Sequence, residues 1–381
     1  MIVFYSVILN HHQAPVADEF WLLYKKGYRF VELLQPYDDI NKGGRKYDDR
    51  PYLICAWRSD SEKSEALRLA LTAEVCVFGG TLSLPYQKAR LEKNLLSFEV
   101  GERWLKRGFA NMFSPRLVKM IGLYHLLGWK KKPLYKLCAS AYAANDQYLF
   151  GTFHNKCFKW GYFTDVKTLD MVEINKKKTD IEIIRIMWCG RFIGWKHPEL
   201  PILLAQQLKE KGYRFIIDMY GSGVEFEQTK TLSNKLGVSN VVTFIGNKPN
   251  DEILQAMREH EIFLFTSDKQ EGWGAVLNEA MSNGCTVVGS NAIGSVPFLV
   301  KDGVNGYIFK SGNLDSLCEK VVNLIINPEM RKKMAIQAYQ DMVNIWSPKI
   351  AVRNLLQLID DLRHKRDSTI MEGPCSKALP L

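Results

Sequence analysis

Apolar positions in the first half of the chain follow two alternating patterns, short β-branched or aromatic runs and longer stretches of helical periodicity. Residues 2–9 predict a strand, residues 17–26 a helix and residues 29–34 a second strand. Further strands are predicted at residues 53–56, 75–78 and 95–99, with helices at 61–71 and 85–92. Because strands that alternate with crossover helices build a parallel sheet, this half predicts a Rossmann-like unit.

The same alternation returns in the second half of the chain. Strands are predicted at residues 182–188, 215–220, 241–244, 262–266 and 286–290, and helices at 201–211, 225–236, 251–259 and 275–283. This rhythm predicts a second doubly wound α/β domain. Within the first half, from residue 107 to 144, the strand pattern lapses and the sequence is more typical of one or two helices.

The length of 381 residues suits two α/β domains that face a cleft. We predict an N-terminal domain over residues 1–172, a polar linker over 173–180 and a C-terminal domain over 181–349. The tail over residues 366–381, which contains Gly373, Pro374 and Pro380, is expected to be disordered.

Composition narrows the class of protein. Apolar residues make up 46% and charged residues 24%, which is typical of a folded chain with an ample core. The first apolar run is short and no run reaches eighteen residues, so neither a signal peptide nor a membrane span is expected. The eight cysteines are scattered without a CxxC pair and are expected to be reduced and buried, which fits the cytosol.

The formal net charge of +10 is partly concentrated in lysine clusters at residues 130–136 and 176–178, which favour anionic partners. Residues 115–136 mix these lysines with large apolar side chains, a pattern typical of an interfacial segment on anionic lipid. An amphipathic core helix with a solvated basic face is an equally consistent interpretation. His125 in this segment is expected to pack and not to react.

The segment SDKQEGWGAVLNEAMSNG (residues 267–284) follows a predicted strand and opens a helix at the carboxyl edge of the second sheet, where ligands of α/β folds bind. Gly272 and Gly274 let a bulky group approach the backbone, and the first helical turn favours an anion. Glu271 and Glu279 would lie roughly 12 Å apart along a continuous helix, on either side of that anion. Each acid alone is more often a solvated surface residue.

The segment WCGRFIGWK (residues 188–196) also lies where a strand ends and turns. Gly190 permits the turn, and Arg191 and Lys196 are placed to converge on one diphosphate, with ordinary surface charge as the alternative. The loops YGSG (220–223) and AIGSVP (292–297) offer further backbone donors, although each is a weak signal alone.

These motifs resemble those of the retaining glycosyltransferases of family 4, which have the two-domain GT-B architecture. The resemblance rests on GRFIGWK (190–196), VTFIGNKP (242–249), EGWGAVLNEAMSNG (271–284) and DGVNGYIF (302–309), in this order. It implies that Arg191 and Lys196 neutralise the donor diphosphate and the leaving-group charge. It also implies that Glu271 holds donor-sugar hydroxyls and Glu279 the ribose hydroxyls. A C-terminal helix over residues 350–365 is expected to return to the N-terminal, acceptor-binding domain.

The resemblance implies a larger donor site built from neighbouring loops. Its members are Gly190, Gly221, Gly223, Gly246, Asn247, Trp273, Gly274, Ala275, Val276, Leu277, Gly294 and Ser295. The implied substrate is a UDP- or GDP-linked sugar, with no cofactor and no metal, because two cations and a helix N-terminus replace a divalent ion. No D-x-D triplet occurs, and the pairs at residues 38–39 and 48–49 are expected to be solvated acids.

The chain departs from the family pattern in two loops. Phe298 stands where an acid is common, and the loop NHHQAP (10–15) lacks the usual glycine-rich turn.

Candidates for acceptor contact lie at the strand ends of the first half. His11 and His12 follow the first strand, and at least one of them is expected to face the interdomain cleft and bind a sugar; a loop histidine bonded to backbone is the alternative. Glu99, Glu102 and Arg103 lie at the end of a later strand on the same edge. Helix-capping acids look the same in sequence.

The sequence therefore predicts a glycosyltransferase that moves a sugar from a nucleotide-diphosphate sugar to a saccharide or lipid-linked saccharide with retention, in the synthesis of cell-surface polysaccharide or lipopolysaccharide. A cytoplasmic location is expected, with the inner face of the cytoplasmic membrane left open. One alternative is a nucleotide-sugar epimerase of GT-B-like fold, which needs no acceptor. Another is a basic nucleic-acid-binding protein, although the lysine clusters lack the aromatic platforms typical of that class.

Overall fold

A computed structural model describes residues 1–36, 47–179 and 183–381. The chain divides into two compact units: unit 1 consists of Met1–Asp165 and Ile345–Leu381, and unit 2 of Val166–Asn344. The predicted acid pair at residues 38–39 lies outside the described residues, and so do the side chains of Lys176 and Lys177.

Unit 1 is built on a parallel sheet. Its strands are β1 (Ile2–Ser6), β2 (Tyr28–Glu32), β3 (Leu53–Cys55), β4 (Val75–Gly79), β5 (Ser97–Gly101), β6 (Leu134–Cys138) and β7 (Cys157–Lys159). Within the described residues they lie in the order β3-β2-β1-β4-β5-β6-β7. The helices that precede unit 2 are α1 (Ala14–Tyr24), α2 (Asp60–Thr72), α3 (Leu84–Glu92), α4 (Pro115–His125) and α5 (Ala143–Leu149).

The central strands of this sheet are buried because helices cover both faces. Val3 and Tyr5 of β1 pack with Val31 and Phe78 from the neighbouring strands, and the rings of Tyr5 and Phe78 stack with centroids 4.9 Å apart. Since the strands are parallel, the carboxyl ends of β1, β4 and β5 lie at the same edge of the sheet.

Unit 2 repeats this architecture. Its strands are β8 (Ile184–Cys189), β9 (Phe215–Tyr220), β10 (Val242–Gly246), β11 (Ile262–Phe265), β12 (Thr286–Ser290) and β13 (Gly306–Phe309). Its helices are α6 (Met171–Thr179), α7 (Glu199–Glu210), α8 (Phe226–Lys235), α9 (Asn250–Glu259), α10 (Val276–Ser282), α11 (Val296–Leu299), α12 (Leu314–Ile326) and α13 (Pro328–Asn344). In the described part of the chain the strand order is β10-β9-β8-β11-β12-β13. The order reverses between β8 and β11, the point at which doubly wound sheets bind ligands.

The C-terminal helix α14 (Pro348–Arg363) belongs to unit 1 and packs against α1. The tail over residues 366–381 is not disordered, contrary to the sequence-based expectation. The N–H of Cys375 donates to the carbonyl of Lys159 (2.7 Å), and the N–H of Lys159 donates to Ser376 (2.8 Å). Cys375 is fully buried. The tail is ordered because it satisfies the outer backbone groups of the edge strand β7.

The predicted linker at residues 173–180 is also wrong, since α6 runs through most of it and belongs to unit 2. Lys178 is buried and donates to the carbonyls of His260 (2.5 Å) and Gly284 (2.6 Å). A buried lysine is compatible with a packed helix when backbone carbonyls accept its hydrogen bonds. The composition of the segment does not reveal that Lys178 has such partners.

Strand β6 lies in the region for which only helices were predicted. Its Lys136 is 1% exposed and donates to Glu99 of the neighbouring strand β5 (2.6 Å). Lys136 is therefore part of the core of unit 1 and not of a surface lysine cluster.

Candidate functional site

The loops after β8, β9 and β10 are joined at the carboxyl edge of the unit 2 sheet. The N–H of Gly190 donates to the carbonyl of Tyr220 (3.0 Å), and the N–H of Gly221 donates to that of Gly246 (2.9 Å). The side-chain amide of Asn247 donates back to the loop after β9 (2.8 Å). The predicted glycines and Asn247 therefore lie in one surface formed by three loops.

Two glycines allow this close approach. A Cβ atom at Gly221 (φ +122°) would lie 2.0 Å from the carbonyl oxygen of Gly190, and one at Gly223 (φ +154°) would lie 2.4 Å from that of Phe192. Any side chain at either position would force the loops apart, so packing alone explains these glycines.

Arg191 and Lys196 both lie beside the ring of Trp195. Arg191 Cζ is 5.5 Å and Lys196 Nζ 4.8 Å from the ring centroid. Lys196 also forms an ion pair with Glu271, and the two side chains are only 12% and 11% exposed. Glu271 Oε2 accepts a further hydrogen bond from Ser267 Oγ (3.2 Å). Three of the four charged residues predicted to bind the donor thus form one cluster, in which Lys196 is neutralised by Glu271.

Glu271 lies in the loop ahead of α10, because the helix begins only at Val276, directly after Ala275. The spacing of a continuous helix therefore does not apply to Glu271 and Glu279. The N–H of Gly294 donates to the Glu271 carbonyl (3.2 Å), which fixes this loop against the loop after β12.

The side chains of Trp273 and Leu277 are fully buried and offer no surface to a ligand. Trp273 Nε1–H donates to Asn278 (2.9 Å), and the Ser295 hydroxyl donates to the Trp273 carbonyl (2.5 Å). A Cβ atom at Gly274 (φ +77°) would lie 2.3 Å from a ring atom of β11. These residues support the loop, so only their backbone is available to a donor.

Glu279 is half-buried within α10. Burial raises its pKa from 4.5 to about 7, although a hydrogen bond with the Asn250 side chain lowers it. Burial, followed by the negative charge of Glu279, raises the pKa of Cys189 at the end of β8 to about 12. The effect on Cys189 places Glu279 close to the end of β8, which precedes Arg191. A carboxyl group whose pKa is raised to near neutral pH is typical of functional sites.

Unit 1 contains a cavity of about 620 Å³ at the carboxyl ends of β1, β4 and β5, which we call the unit 1 cavity. The predicted residues Glu99, Glu102 and Arg103 all line it. Glu99 accepts from Lys136, and Glu102 accepts from the hydroxyl of Tyr162 (2.7 Å). The structure thus brings these three candidates together.

His11 and His12 lie between β1 and α1, with ring centroids 3.7 Å apart. Burial lowers the pKa of His11. The ring of His12 stacks on Tyr162 at 5.8 Å and lines a separate cavity of about 40 Å³. His12 therefore approaches the unit 1 cavity through Tyr162, which lines both cavities.

Residues 107–131, which we call the basic apolar segment, expose large apolar side chains beside cations. The exposed apolar residues are Phe109, Met112, Phe113, Val118, Leu126 and Leu127. The exposed cations are Arg107, Arg116, Lys119, Lys130 and Lys131. No acidic residue occurs from position 103 to 145.

His125 hydrogen-bonds with the carbonyl of Phe150 (2.9 Å), as expected of a packing residue. Among the described residues, no helix has both the length and the hydropathy to cross a bilayer.

Three residues that contribute to these sites were not among the predicted site residues: Trp195, Ser267 and Tyr162. Trp195 lies inside the motif WCGRFIGWK (188–196) and could have been predicted, since an aromatic residue between two cations is a recognisable pattern. Tyr162 lies 60 positions from its partner Glu102, and no local signal connects the two.

The segment that contains the clustered cations and acids also matches a known family. Residues 170–341 match the model for glycosyl transferases group 1. The chain is 29% identical over 126 residues to poly(glycerol-phosphate) alpha-glucosyltransferase of Bacillus subtilis strain 168, a match that covers 32% of this chain and 18% of the relative. It is 24% identical over 197 residues to the lipopolysaccharide core biosynthesis glycosyltransferase LpsE of Rhizobium meliloti strain 1021, covering 52% and 56%. The chain thus matches less than two thirds of either relative.

A solved structure resembles nearly the whole chain. Alr3699/HepE of Anabaena in complex with UDP has a TM-score of 0.70 at 14% identity, covering 94% of this chain and 99% of that one. At such low identity the likeness shows the fold alone. The predicted α/β fold class with two doubly wound, GT-B-like units is confirmed.

Proposed function

We propose that this chain is a glycosyltransferase that moves a sugar from a nucleotide-diphosphate sugar to a saccharide or lipid-linked saccharide. The observation that carries the proposal is the cluster of Arg191, Lys196 and Glu271 around Trp195, inside the segment that matches the family model. Two cations and a carboxylate at the carboxyl edge of a doubly wound sheet suit a diphosphate joined to a sugar.

Donor binding would replace the internal pair between Lys196 and Glu271. The diphosphate attracts Lys196 and Arg191, and Glu271 is then released to accept hydrogen bonds from sugar hydroxyls. In this proposal the two cations contact the departing diphosphate, on which negative charge develops, and thereby lower the barrier to its departure. Glu279 would hold the ribose hydroxyls. We further propose that the donor is UDP- or GDP-linked, and that transfer proceeds with retention and without a metal ion.

The biological role that we propose is the synthesis of cell-surface polysaccharide or lipopolysaccharide. The similar proteins from Bacillus subtilis and Rhizobium meliloti, which are named for a poly(glycerol-phosphate) and for the lipopolysaccharide core, support this role. The eight free cysteines, most of them buried, suit a reducing compartment such as the cytosol.

We also propose that the basic apolar segment, which begins before the predicted interfacial residues 115–136 and ends before strand β6, makes peripheral contact with an anionic membrane. Burial of one phenylalanine side chain contributes about 1.5–3 kcal/mol, so Phe113→Ser should weaken vesicle binding about tenfold to a hundredfold. Co-sedimentation with phosphatidylglycerol vesicles measures this. Tyr148→Ser, which changes an aromatic residue that is 71% exposed outside the segment, is the matched control. Equal binding by both variants would contradict the assignment.

A thermal-shift panel of nucleotide diphosphates and nucleotide sugars tests the donor site, because selective binding raises the melting temperature by mass action. Arg191→Ala should abolish the shift, whereas Lys230→Ala, which removes an exposed cation on α8, should retain it. If no nucleotide raises the melting temperature, the proposal is wrong.

Two further assays separate the alternative functions. Incubation with nucleotide sugar alone yields an epimerised donor if the chain is an epimerase. Filter binding at physiological salt detects affinity for nucleic acid. A positive result in either assay, without transfer to an acceptor, would overturn the proposal.

A further inference from the structure

The unit 1 cavity has walls of mixed charge. Cations from three elements line it: Lys136 of β6, Arg103 and Lys106 after β5, and Arg116 in the first turn of α4. The acids Glu99 and Glu102 line it as well. The balance between these groups decides what kind of ligand the cavity accepts.

Both acids are already satisfied by the protein. Glu99 Oε1 accepts from Lys136 Nζ (2.6 Å), and its Oε2 lies 3.4 Å from the amide nitrogen of Gln87. Glu102 accepts from the Tyr162 hydroxyl and forms an ion pair with Lys106. The charges of these two carboxylates are thus matched by those of Lys136 and Lys106, so Arg103 and Arg116 leave the cavity lining with an excess of positive charge.

The two arginines are not satisfied in the same way. Arg103 Nη2 lies 3.5 Å from Asp146 Oδ1, whereas the other oxygen of Asp146 accepts from the N–H of Leu105 at 2.9 Å. Arg103 Nε is buried and has no hydrogen-bond partner in the part of the chain that the structure describes. A buried N–H group without an acceptor is unfavourable, and the contact with Asp146 is long, so the guanidinium group of Arg103 is only partly satisfied by the protein.

Arg116 supplies a second positive charge at the same cavity. It is exposed and has no ion-pair partner among the described residues. A guanidinium group matches the geometry of a phosphate or carboxylate group with two parallel hydrogen bonds.

We infer that the unit 1 cavity binds the acceptor through an anionic group, a phosphate ester or a carboxylate, held by Arg103 and Arg116. The identification of this ligand as the acceptor rests on the proposed function, whereas the anion site itself follows from the residues of unit 1 alone. Arg103 lines the cavity from the segment after β5 and Arg116 from α4, and their two guanidinium groups supply the positive charge that an anionic group requires.

Isothermal titration calorimetry of the full chain, with no nucleotide sugar in the sample, tests the inference. The probes are glycerol 3-phosphate and glucuronate, with glycerol and glucose as matched neutral compounds. The anionic probes should bind and the neutral ones should not. Arg116→Gln should raise the Kd about tenfold or more, since a charge-assisted hydrogen bond is lost. Arg353→Gln, which removes an exposed arginine of α14 outside the cavity, should leave the Kd unchanged.

Arg103→Lys provides a second variant that keeps the charge beside Asp146, so the fold is preserved. Lysine lacks the planar guanidinium group that pairs with an anion through two parallel hydrogen bonds, and weaker binding of the anionic probes is expected. Equal affinity for anionic and neutral probes, or an unchanged Kd in both arginine variants, would overturn the inference.

Two controls distinguish a failure of the proposed function from a failure of the anion site in the unit 1 cavity. Titration with UDP-glucose reports on unit 2, so loss of nucleotide binding with retained anion binding refutes the proposed function and leaves this inference standing. Phosphatidylglycerol vesicles present the same phosphate chemistry on a lipid surface. If Arg116→Gln weakens vesicle binding while glycerol 3-phosphate does not bind at all, the anion belongs to a membrane surface and the cavity assignment is wrong.

Discussion

Replacement of Glu279 by glutamine isolates the effect of burying one carboxylate in α10. Burial raises the pKa of Glu279 from 4.5 to about 7, so between these pH values the folded chain binds more protons than the unfolded chain. The stability of the wild-type protein therefore falls as the pH rises from about 4.5 to 7, and the full loss is present above pH 7. At about 1.4 kcal/mol for each pKa unit the ceiling is about 3.5 kcal/mol. Because the side chain is only half-buried, we expect about 1–2 kcal/mol.

Glu279→Gln removes this loss because the amide is neutral at every pH. Calorimetry should give the variant and the wild type similar melting temperatures near pH 5, and should place the variant about 3–6 °C higher at pH 8. Glu319→Gln, which changes an exposed glutamate of α12, should match the wild type at both pH values. A variant that gains as much at pH 5 as at pH 8, or that gains nothing at either, would refute the desolvation argument.

Three further outcomes are expected. Arg191→Ala and Glu271→Gln should each lower kcat about a hundredfold, since each removes an electrostatic contact to the transition state; steady-state kinetics with a nucleotide sugar check this, and wild-type rates would contradict the site. Gly221→Ala should destabilise unit 2 by about 2–4 kcal/mol, because its Cβ would lie 2.0 Å from a carbonyl oxygen; urea denaturation measures the change, and unaltered stability would mean that the loops separate at little cost. Deletion of residues 366–381 should lower the melting temperature of unit 1 and leave UDP binding by unit 2 intact, as calorimetry with and without UDP can test; an unaffected unit 1 would show that the tail is dispensable.

Much of the fold was predictable from the sequence because central strands such as β4 (VCVFG) and β11 (IFLF) are continuous apolar runs, as expected of parallel strands buried on both faces. Strand β6 escaped prediction because its centre is Lys136, a residue type that is typical of surfaces. The register places Lys136 directly opposite Glu99 of β5, and this pairing across strands is what makes the lysine compatible with the core. Such a partner cannot be inferred from a stretch of sequence considered by itself.

The donor-site candidates were predictable for a different reason. Arg191, Lys196 and Glu271 lie in short motifs whose spacing carries the signal, and the structure brings them together. The ion pair between Lys196 and Glu271 joins residues 75 positions apart, so only the fold reveals that each is the partner of the other. The walls of the unit 1 cavity are assembled from still more distant strand ends, which explains why Arg116 and Tyr162 were not singled out.

The division of unit 1 into two separate stretches of chain has a consequence for biosynthesis. Its first 165 residues are translated before the roughly 180 residues of unit 2, and its last 37 come after them. At about 5–20 residues per second the nascent N-terminal part waits roughly 9–36 s for α14 and the closing tail. Meanwhile the face of α1 and the outer border of β7 are uncovered on the ribosome, whereas unit 2 is contiguous and can fold as soon as it emerges. We therefore expect nascent chains that stall before residue 345 to depend on chaperones through their N-terminal portion.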